Sequence, residues 1–266
     1  MGLQRGSNYA LKAASKEDFI RLVMDNNGTP PRYFQRVNNI NRRVSEPIDT
    51  ILKRNMVSLS PGQFMAAMLQ TGYTVIDTRE IDTFSAAHIP GSVFLGLEGN
   101  FELSAGLVLK PFDTLLIVCE PGKEKETFTR LARTGFEKAV GYLEGGMKAW
   151  KQTGASVETL ENISAEDVAG RFRYHTDIII DVRNPSEWIP GFIAGAKLFS
   201  LEQLDENITA LDRKKNTYVY CSCGYRSMIA ASILKRRGIQ KVTNVSGGMM
   251  QLKQTPIPVR QLSRIS

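Results

Sequence analysis

The feature that most constrains this chain is that it nearly repeats itself. Thr74-Val-Ile-Asp-Thr-Arg79 returns as Ile178-Ile-Ile-Asp-Val-Arg183, the shared aspartate moving from 77 to 181, an offset of 181 − 77 = 104. Ala87-His-Ile-Pro-Gly-Ser92 returns as Phe192-Ile-Ala-Gly-Ala196. Leu115-Leu-Ile-Val-Cys119 returns as Tyr218-Val-Tyr-Cys221, and Gly145-Gly146 as Gly247-Gly248, both at an offset of 102 (221 − 119; 247 − 145). A period of about 100 residues is the size of a domain, so the repeat reads as two tandem domains. In each, short β-branched runs are separated by helical patterns. Ser60-Pro-Gly-Gln-Phe-Met-Ala-Ala-Met-Leu and Ser164-Ala-Glu-Asp-Val-Ala-Gly both open on a capping serine, the second resembling a capping box only loosely. Strands spaced by helices predict an α/β fold, each domain a mainly parallel sheet flanked by helices on both faces. The expected divisions are an N-terminal segment over 1–55, a first domain over 56–155 and a second over 156–266.

Sheets of this kind carry their sites at the carboxyl ends of strands. Cys221-Ser-Cys-Gly-Tyr-Arg-Ser227 lies at such an end, between the strand-like Thr217-Tyr-Val-Tyr220 and a helical run from Met228 to Arg237. A short glycine-containing turn into a helix aims backbone N–H groups and the positive end of the helix dipole at one point. A cysteine there is expected to be a nucleophilic thiolate of lowered pKa. Arg226 is expected to hold an anionic substrate. Cys221 and Arg226 stand as C-x4-R, one residue shorter than the C-x5-R loop of cysteine-dependent phosphatases, and the smaller cradle suits a cysteine persulfide better than a tetrahedral phosphate.

The pattern C-x-x-G-x-R-S followed by an alanine-containing helix resembles the active loop of the rhodanese family of sulfurtransferases. Four further segments of the second repeat are similar to that family and occur in its order. They are Ile178–Arg183 ending in Asp-x-Arg, the pair Glu187-Trp188, Gly191-Phe-Ile-Ala-Gly-Ala196, and Val242-Thr-Asn-Val-Ser-Gly-Gly248 with Pro256-Ile-Pro-Val259. Phe192 stands where the family commonly has an architectural histidine. The resemblance implies Cys221 as the nucleophile, with Ser222, Cys223, Gly224, Tyr225, Arg226 and Ser227 holding the persulfide and the Ser227 hydroxyl capping the following helix. Asp181 and Arg183 are expected as a supporting scaffold ion pair, and Trp188 as core. Cys223 is open between a part in sulfur handling or reversible oxidation and a small loop residue of no special role.

The first repeat departs from this pattern. Its loop reads Cys119-Glu-Pro-Gly-Lys-Glu-Lys-Glu126, with Glu124 at the offset of Arg226. Acid beside a thiol disfavours ionisation and repels an anionic donor, and Pro121 removes one backbone donor. The first domain is therefore expected to be inactive and kept for packing or a partner surface, with Cys119 as a secondary thiol the alternative.

Composition narrows the rest. With 266 residues, 42% of them hydrophobic, two cores can be filled. Three cysteines are too few and too oddly spaced for a disulfide scaffold, there is no leader-like N-terminal apolar run and no 18-residue apolar stretch, and the reading is cytoplasmic with no membrane partner. The net charge of +7 comes without a basic stripe interleaved with aromatics, so no nucleic-acid partner is expected. Lys214-Lys215 and Lys235-Arg236-Arg237 are expected as solvated surface. The two histidines, His88 and His175, cannot build a mononuclear iron or dinuclear zinc site, so no metal or cofactor is expected. His88 reads as structural and His175 as surface.

Before the repeats, Ser15-Lys-Glu-Asp-Phe-Ile-Arg-Leu-Val-Met reads as a capped amphipathic helix. With Pro30-Pro-Arg-Tyr-Phe34 and Asn38-Asn-Ile-Asn-Arg-Arg43 it resembles the tail of the metallo-β-lactamase-fold domain in proteins that fuse such a persulfide dioxygenase domain to tandem rhodaneses. This chain would then keep only the sulfurtransferase half, as a truncated relative, a fragment or a working protein whose tail docks elsewhere. Tyr33, Phe34 and Ile40 suggest that the segment packs.

The expected chemistry moves a sulfane sulfur from thiosulfate or a persulfide, with sulfite released from thiosulfate, through Cys221 to a small thiol, cyanide or a protein thiol. Two alternatives stand beside it: a non-catalytic docking or regulatory module, and a cysteine phosphatase or arsenate reductase.

Overall fold

The computed structural model describes residues 13–26, 46–110 and 112–262. Helix α1 (Lys16–Asn26) belongs to one compact unit, and the two repeats together form a second. The Ser15 hydroxyl accepts from the Asp18 N–H at 3.0 Å and caps α1. The Pro30–Phe34 and Asn38–Arg43 segments, with Ile40, lie outside the described residues.

Helix α2 (Ile48–Asn55), from the end of the expected N-terminal segment, lies in the same compact unit as the repeats, and the first repeat then runs β1 (Ser58–Leu59), α3 (Pro61–Met68), β2 (Tyr73–Asp77), α4 (Ile81–Ala86), β3 (Val93–Phe94), α5 (Phe101–Val108), β4 (Thr114–Val118), α6 (Glu124–Arg133), β5 (Ala139–Leu143), α7 (Gly146–Gln152). The second runs β6 (Glu161–Ile163), α8 (Ala165–Arg171), β7 (Ile178–Asp181), α9 (Pro185–Trp188), β8 (Phe192–Ile193), β9 (Lys197–Leu198), α10 (Leu204–Asn207), β10 (Thr217–Tyr220), α11 (Tyr225–Arg236), β11 (Val242–Val245), α12 (Gly248–Leu252), β12 (Val259–Arg260). Each forms a five-stranded parallel sheet, in the orders β1-β5-β4-β2-β3 and β6-β11-β10-β7-β9. A short antiparallel pair, β12 with β8, closes the second repeat. The central strands are buried along most of their length, as parallel strands covered on both faces must be, and β2, β4 and β7 are rich in Ile, Val and Leu whereas β10 is Thr-Tyr-Val-Tyr. Ser60 forms a full capping box with Gln63, with Pro61 at the first helical position, and Ser164 accepts from the Asp167 N–H.

Register brings the two informative motifs to one edge. Asp77 pairs with Val118, and Asp181 with Tyr220, so each Asp-x-Arg turn sits beside the loop that begins with cysteine. Asp181 is fully buried and accepts from the Arg183 Nη2 at 2.6 Å and Nε at 2.9 Å, while Nη2 also donates to the Gly191 carbonyl at 2.7 Å. Asp77 and Arg79 reproduce this, with 2.6 and 2.9 Å within the pair and 2.8 Å to the Ala87 carbonyl. In both repeats a bidentate pair ties the end of one strand to the next turn.

One apolar core joins the repeats. Ile76, Phe84, Phe94, Phe101 and Ile117 of the first pack in the same cluster as Val219, Met228, Ile229 and Leu234 of the second. Helix α11 is the shared element: its Ser232 hydroxyl accepts from the Phe94 N–H at 3.0 Å. The Lys235–Arg237 cluster, expected as solvated surface, has Arg236 and Arg237 exposed, and each of its side chains is also tied to an acceptor. Lys235 donates to the Thr159 carbonyl, Arg236 to the Thr74 hydroxyl of the first repeat, and Arg237 to Asp205. Long side chains at a helix end fold back onto oxygen acceptors within reach. His88 is buried, stacked on Phe84 at 4.0 Å, with Nδ1 at 2.9 Å from the Phe84 carbonyl; burial is the main cause that lowers its pKa. His175 is exposed and Trp188 is buried. Among the described residues no helix is long and apolar enough to cross a membrane, and no three His, Cys, Asp or Glu side chains gather to hold a metal.

Candidate functional site

Strand β10 ends at Tyr220, and the chain turns through Cys221–Gly224 into α11. Helix α11 begins at Tyr225, three residues before the apolar run that marks it in the sequence. The reason is Gly224, whose φ of +107° is open to glycine and turns the chain at once into the helix. The first turn of α11 is thus Tyr225, Arg226 and Ser227, directly over the Cys221 sulfur.

Cys221 is fully buried. Its sulfur accepts from the Gly224 N–H at 3.2 Å and from the Ser227 hydroxyl at 3.5 Å. Burial opposes a thiolate here. The Cys223 thiol, the Ser227 hydroxyl and the Ser227 and Cys223 backbone N–H groups donate to the sulfur and outweigh it, so the Cys221 pKa lies well below the usual thiol value. Cys223 keeps its proton, because it is the donor in that pair and is partly desolvated. The Ser227 hydroxyl also lies at 3.0 Å from the Gly224 carbonyl, so its one proton is shared between that oxygen and the Cys221 sulfur. It makes no cap to the N–H groups of α11, contrary to expectation, because Gly224 occupies the cap position and Ser227 already sits inside the first turn.

Three further expectations change. Arg226 is not a free anion clamp: it forms a fork with Glu187, at 2.6 Å from Nη1 to Oε2 and 2.8 Å from Nη2 to Oε1. Ser222 completes this cluster, donating to Glu187 Oε1 at 2.6 Å and accepting from Arg226 Nη2 at 2.8 Å. Burial works against ionised Glu187, but Arg226, Ser222 and the Asn184 N–H bring its pKa down to about 2. Tyr225 reaches away from the sulfur: its hydroxyl donates to the Gly96 carbonyl at 2.6 Å and its ring meets Phe94 edge-on at 5.7 Å. A side chain at Gly99 would collide with that ring, so this glycine is needed for the fit of the two domains.

A cavity of about 600 Å³ lies against the loop, and half of it belongs to the first repeat. Its walls are Gly99, Leu103, Ser104 and Leu107, on or just before α5, facing Asn184, Glu187, Cys223 and Arg226. Arg130 braces α5 by a fork to Glu102 and a bond to the Leu97 carbonyl, and lies 4.9 Å over the Phe101 ring. The α5 wall was not read from the sequence, since nothing in its own pattern points across to another domain. Glu187 was visible only as part of a motif, without its partner.

The corresponding loop of the first repeat does not activate its cysteine. Cys119 is buried, and among the described residues no group donates to its sulfur. Desolvation, reinforced by Glu124, Asp77 and Glu120, pushes the Cys119 thiol up to about 12.

A model of the rhodanese-like domain matches residues 60–153 and 161–255. Similar proteins include the uncharacterized protein YqhL of Bacillus subtilis, 36% identical over 78 residues, covering 29% of this chain and 62% of YqhL. The sulfurtransferase of Allochromatium vinosum is 24% identical over 101 residues, 38% of this chain and 94% of that protein. Of solved structures, thiosulfate sulfurtransferase from Pseudomonas aeruginosa aligns at 20% identity and a TM-score of 0.34, over 77% of this chain and 44% of the other. The chain thus spans less than two thirds of YqhL and of the Pseudomonas protein. Two matched segments that together take in most of the chain, on two sheets of the same order, make it a member of the rhodanese-like domain family with two such domains in tandem.

Proposed function

We propose that the chain is a sulfurtransferase that carries sulfane sulfur on Cys221. The observation that carries this reading is the Cys221 sulfur held under the N–H of Gly224 and the hydroxyl of Ser227 at the head of α11. The thiolate attacks the outer sulfur of thiosulfate or of a persulfide. A Cys221 sulfur–sulfur bond forms, the donor's breaks, and the bonding pair leaves with sulfite or with the donor thiolate. An acceptor thiolate or cyanide then takes the outer sulfur and returns the pair to Cys221. Ser222, Glu187 and Arg226 act together as a clamp on the loop, and Arg226 with its carboxylate partner presents less net charge to a donor than a lone guanidinium would. The first domain serves as a wall of the cavity rather than a second centre, in keeping with the raised Cys119 pKa. A cytoplasmic setting, and descent of residues 1–55 from the tail of a metallo-β-lactamase-fold fusion, belong to the same proposal and are supported by the Pro30–Phe34 and Asn38–Arg43 motifs and the low cysteine count.

The test is the pH dependence of sulfite release from thiosulfate in the first turnover. Because the Cys221 pKa is depressed, the reactive form persists as pH falls, and the rate holds its plateau through pH ~8.5, where an ordinary thiol would already be half protonated. A profile centred near that ordinary value contradicts the activated-thiolate account. No sulfite at any pH, with hydrolysis of p-nitrophenyl phosphate in its place, would turn the reading to a phosphatase.

A further inference from the structure

Cys221 is buried, whereas Cys223, two residues on, is exposed. Two cavities open onto the loop. One of about 600 Å³ faces α5, and one of about 410 Å³ faces the Arg79–Asp82 turn of the first repeat. Cys223 lines both, and Cys221 lines neither. The Gly224 N–H, next in the chain to Cys223, donates to the Cys221 sulfur at 3.2 Å, so the turn that carries Cys223 wraps around that sulfur. The thiol presented to an acceptor in either cavity is therefore Cys223, while the thiol activated to accept sulfur is Cys221.

Resting on the sulfurtransferase reading above, we propose that Cys223 is a second sulfur station, taking the outer sulfur from the Cys221 persulfide and delivering it to an organic thiol bound in the α5 cavity. The step is redox-neutral and needs no added reagent. The Cys223 proton moves to the outer sulfur of the Cys221 persulfide anion. The Cys223 thiolate attacks that same sulfur, a new sulfur–sulfur bond forms to Cys223, and the bond to Cys221 breaks with its electron pair left on the Cys221 sulfur. The donors that make Cys221 a good nucleophile also make it a good leaving group, since a thiol of lower pKa leaves faster. The Cys221 thiolate is regenerated, and the sulfur now faces the cavity. Leu103 and Leu107 offer apolar surface and Asn100 and Asn184 offer polar contacts there, in a volume suited to an organic thiol rather than to thiosulfate alone.

Tryptic cleavage after Lys215 and Arg226 places both cysteines on one peptide, 216–226, and fragmentation between them locates an added sulfur. The full chain is loaded with thiosulfate, trapped with an alkylating agent and mapped, and discharge to glutathione is timed in parallel. The relay predicts sulfane sulfur on Cys223 in a fraction of wild-type molecules and none on Cys223 in Cys221→Ser. In Cys223→Ser, where a hydroxyl can still donate to Cys221 but cannot carry sulfur, it predicts sulfur held on Cys221 and discharge slowed by about tenfold or more. Sulfur on Cys221 alone in the wild type, or discharge from Cys223→Ser at the wild-type rate, overturns the relay and leaves the Cys221 reading standing. Sulfur on Cys223 in the Cys221→Ser protein overturns the order of transfer. Loading of neither cysteine in the wild type overturns the sulfurtransferase reading and the relay with it.

Discussion

Gly248→Ala lowers sulfur transfer by about 100-fold or more, because it displaces the active loop by roughly the 1 Å that such a loss requires. Gly248 opens α12 with φ of +52°. A Cβ there would stand 2.7 Å from the Ser222 carbonyl carbon and 2.8 Å from the Cys223 nitrogen, and closer still to the Cys221 carbonyl oxygen. These are backbone atoms of the loop, which cannot rotate away as a side-chain end can. The approach is close for a reason: the Met249 N–H donates to the Cys221 carbonyl at 2.7 Å and the Met250 N–H to the Ser222 carbonyl at 3.1 Å, so the head of α12 holds the loop in place. Gly146 is the counterpart in the first repeat, and a Cβ there would meet the Cys119 carbonyl only at 3.5 Å, an ordinary contact. Gly146→Ala carries backbone strain of about 1–2 kcal/mol and no loop clash, so its transfer rate stays within about threefold of wild type, the rate effect of a strain not felt at the site. Single-turnover transfer by both variants, with circular dichroism to confirm folding, checks this. Equal losses in the two, or none in Gly248→Ala, would show that α12 does not position the loop.

Asp181→Ala costs about 3–5 kcal/mol of stability, the loss typical when one partner of a buried ion pair is removed. The aspartate is fully buried and takes every hydrogen bond that the Arg183 guanidinium makes except that to Gly191. Without it, a cation stays in the protein interior beside the Tyr220 ring, 5.8 Å from its centroid, with one neutral acceptor. Asp181→Asn retains an acceptor and loses less. Asp77→Ala has the same geometry in the first repeat and the same expected cost. Urea unfolding measures each; a change below about 1 kcal/mol, the range of exposed pairs, would mean that the pair is solvated.

What the sequence discloses and what it hides divide along a physical line. The loop between β10 and α11 is legible because its geometry is local: a β-branched strand, a cysteine, a glycine able to take positive φ, and a helix. The Asp-x-Arg turns are legible for the same reason, two residues apart and bonded to one another. The contacts that shape the site are not local. Arg226 meets Glu187 at a separation of 39 residues, and Tyr225 meets Gly96 at 129. No spacing rule reveals such partners, so Arg226 read as a free cation and Tyr225 as a substrate contact. The acceptors of the Lys235–Arg237 cluster are hidden in the same way: Thr159, Thr74 and Asp205 lie 76, 162 and 32 residues away in the chain. The helix start was misplaced because its first turn, Tyr225-Arg226-Ser227, carries no apolar period; Gly224 alone marks it.

The most direct test of the central claim is intact mass after incubation with thiosulfate, for wild type and for Cys221→Ser. A covalent carrier gains one sulfur atom, about 32 Da, loses it on treatment with cyanide, and gains nothing once the nucleophile is replaced. The account predicts that pattern. An unmodified wild-type protein whose Cys221 is reduced and intact, or an adduct that survives in Cys221→Ser, would contradict it.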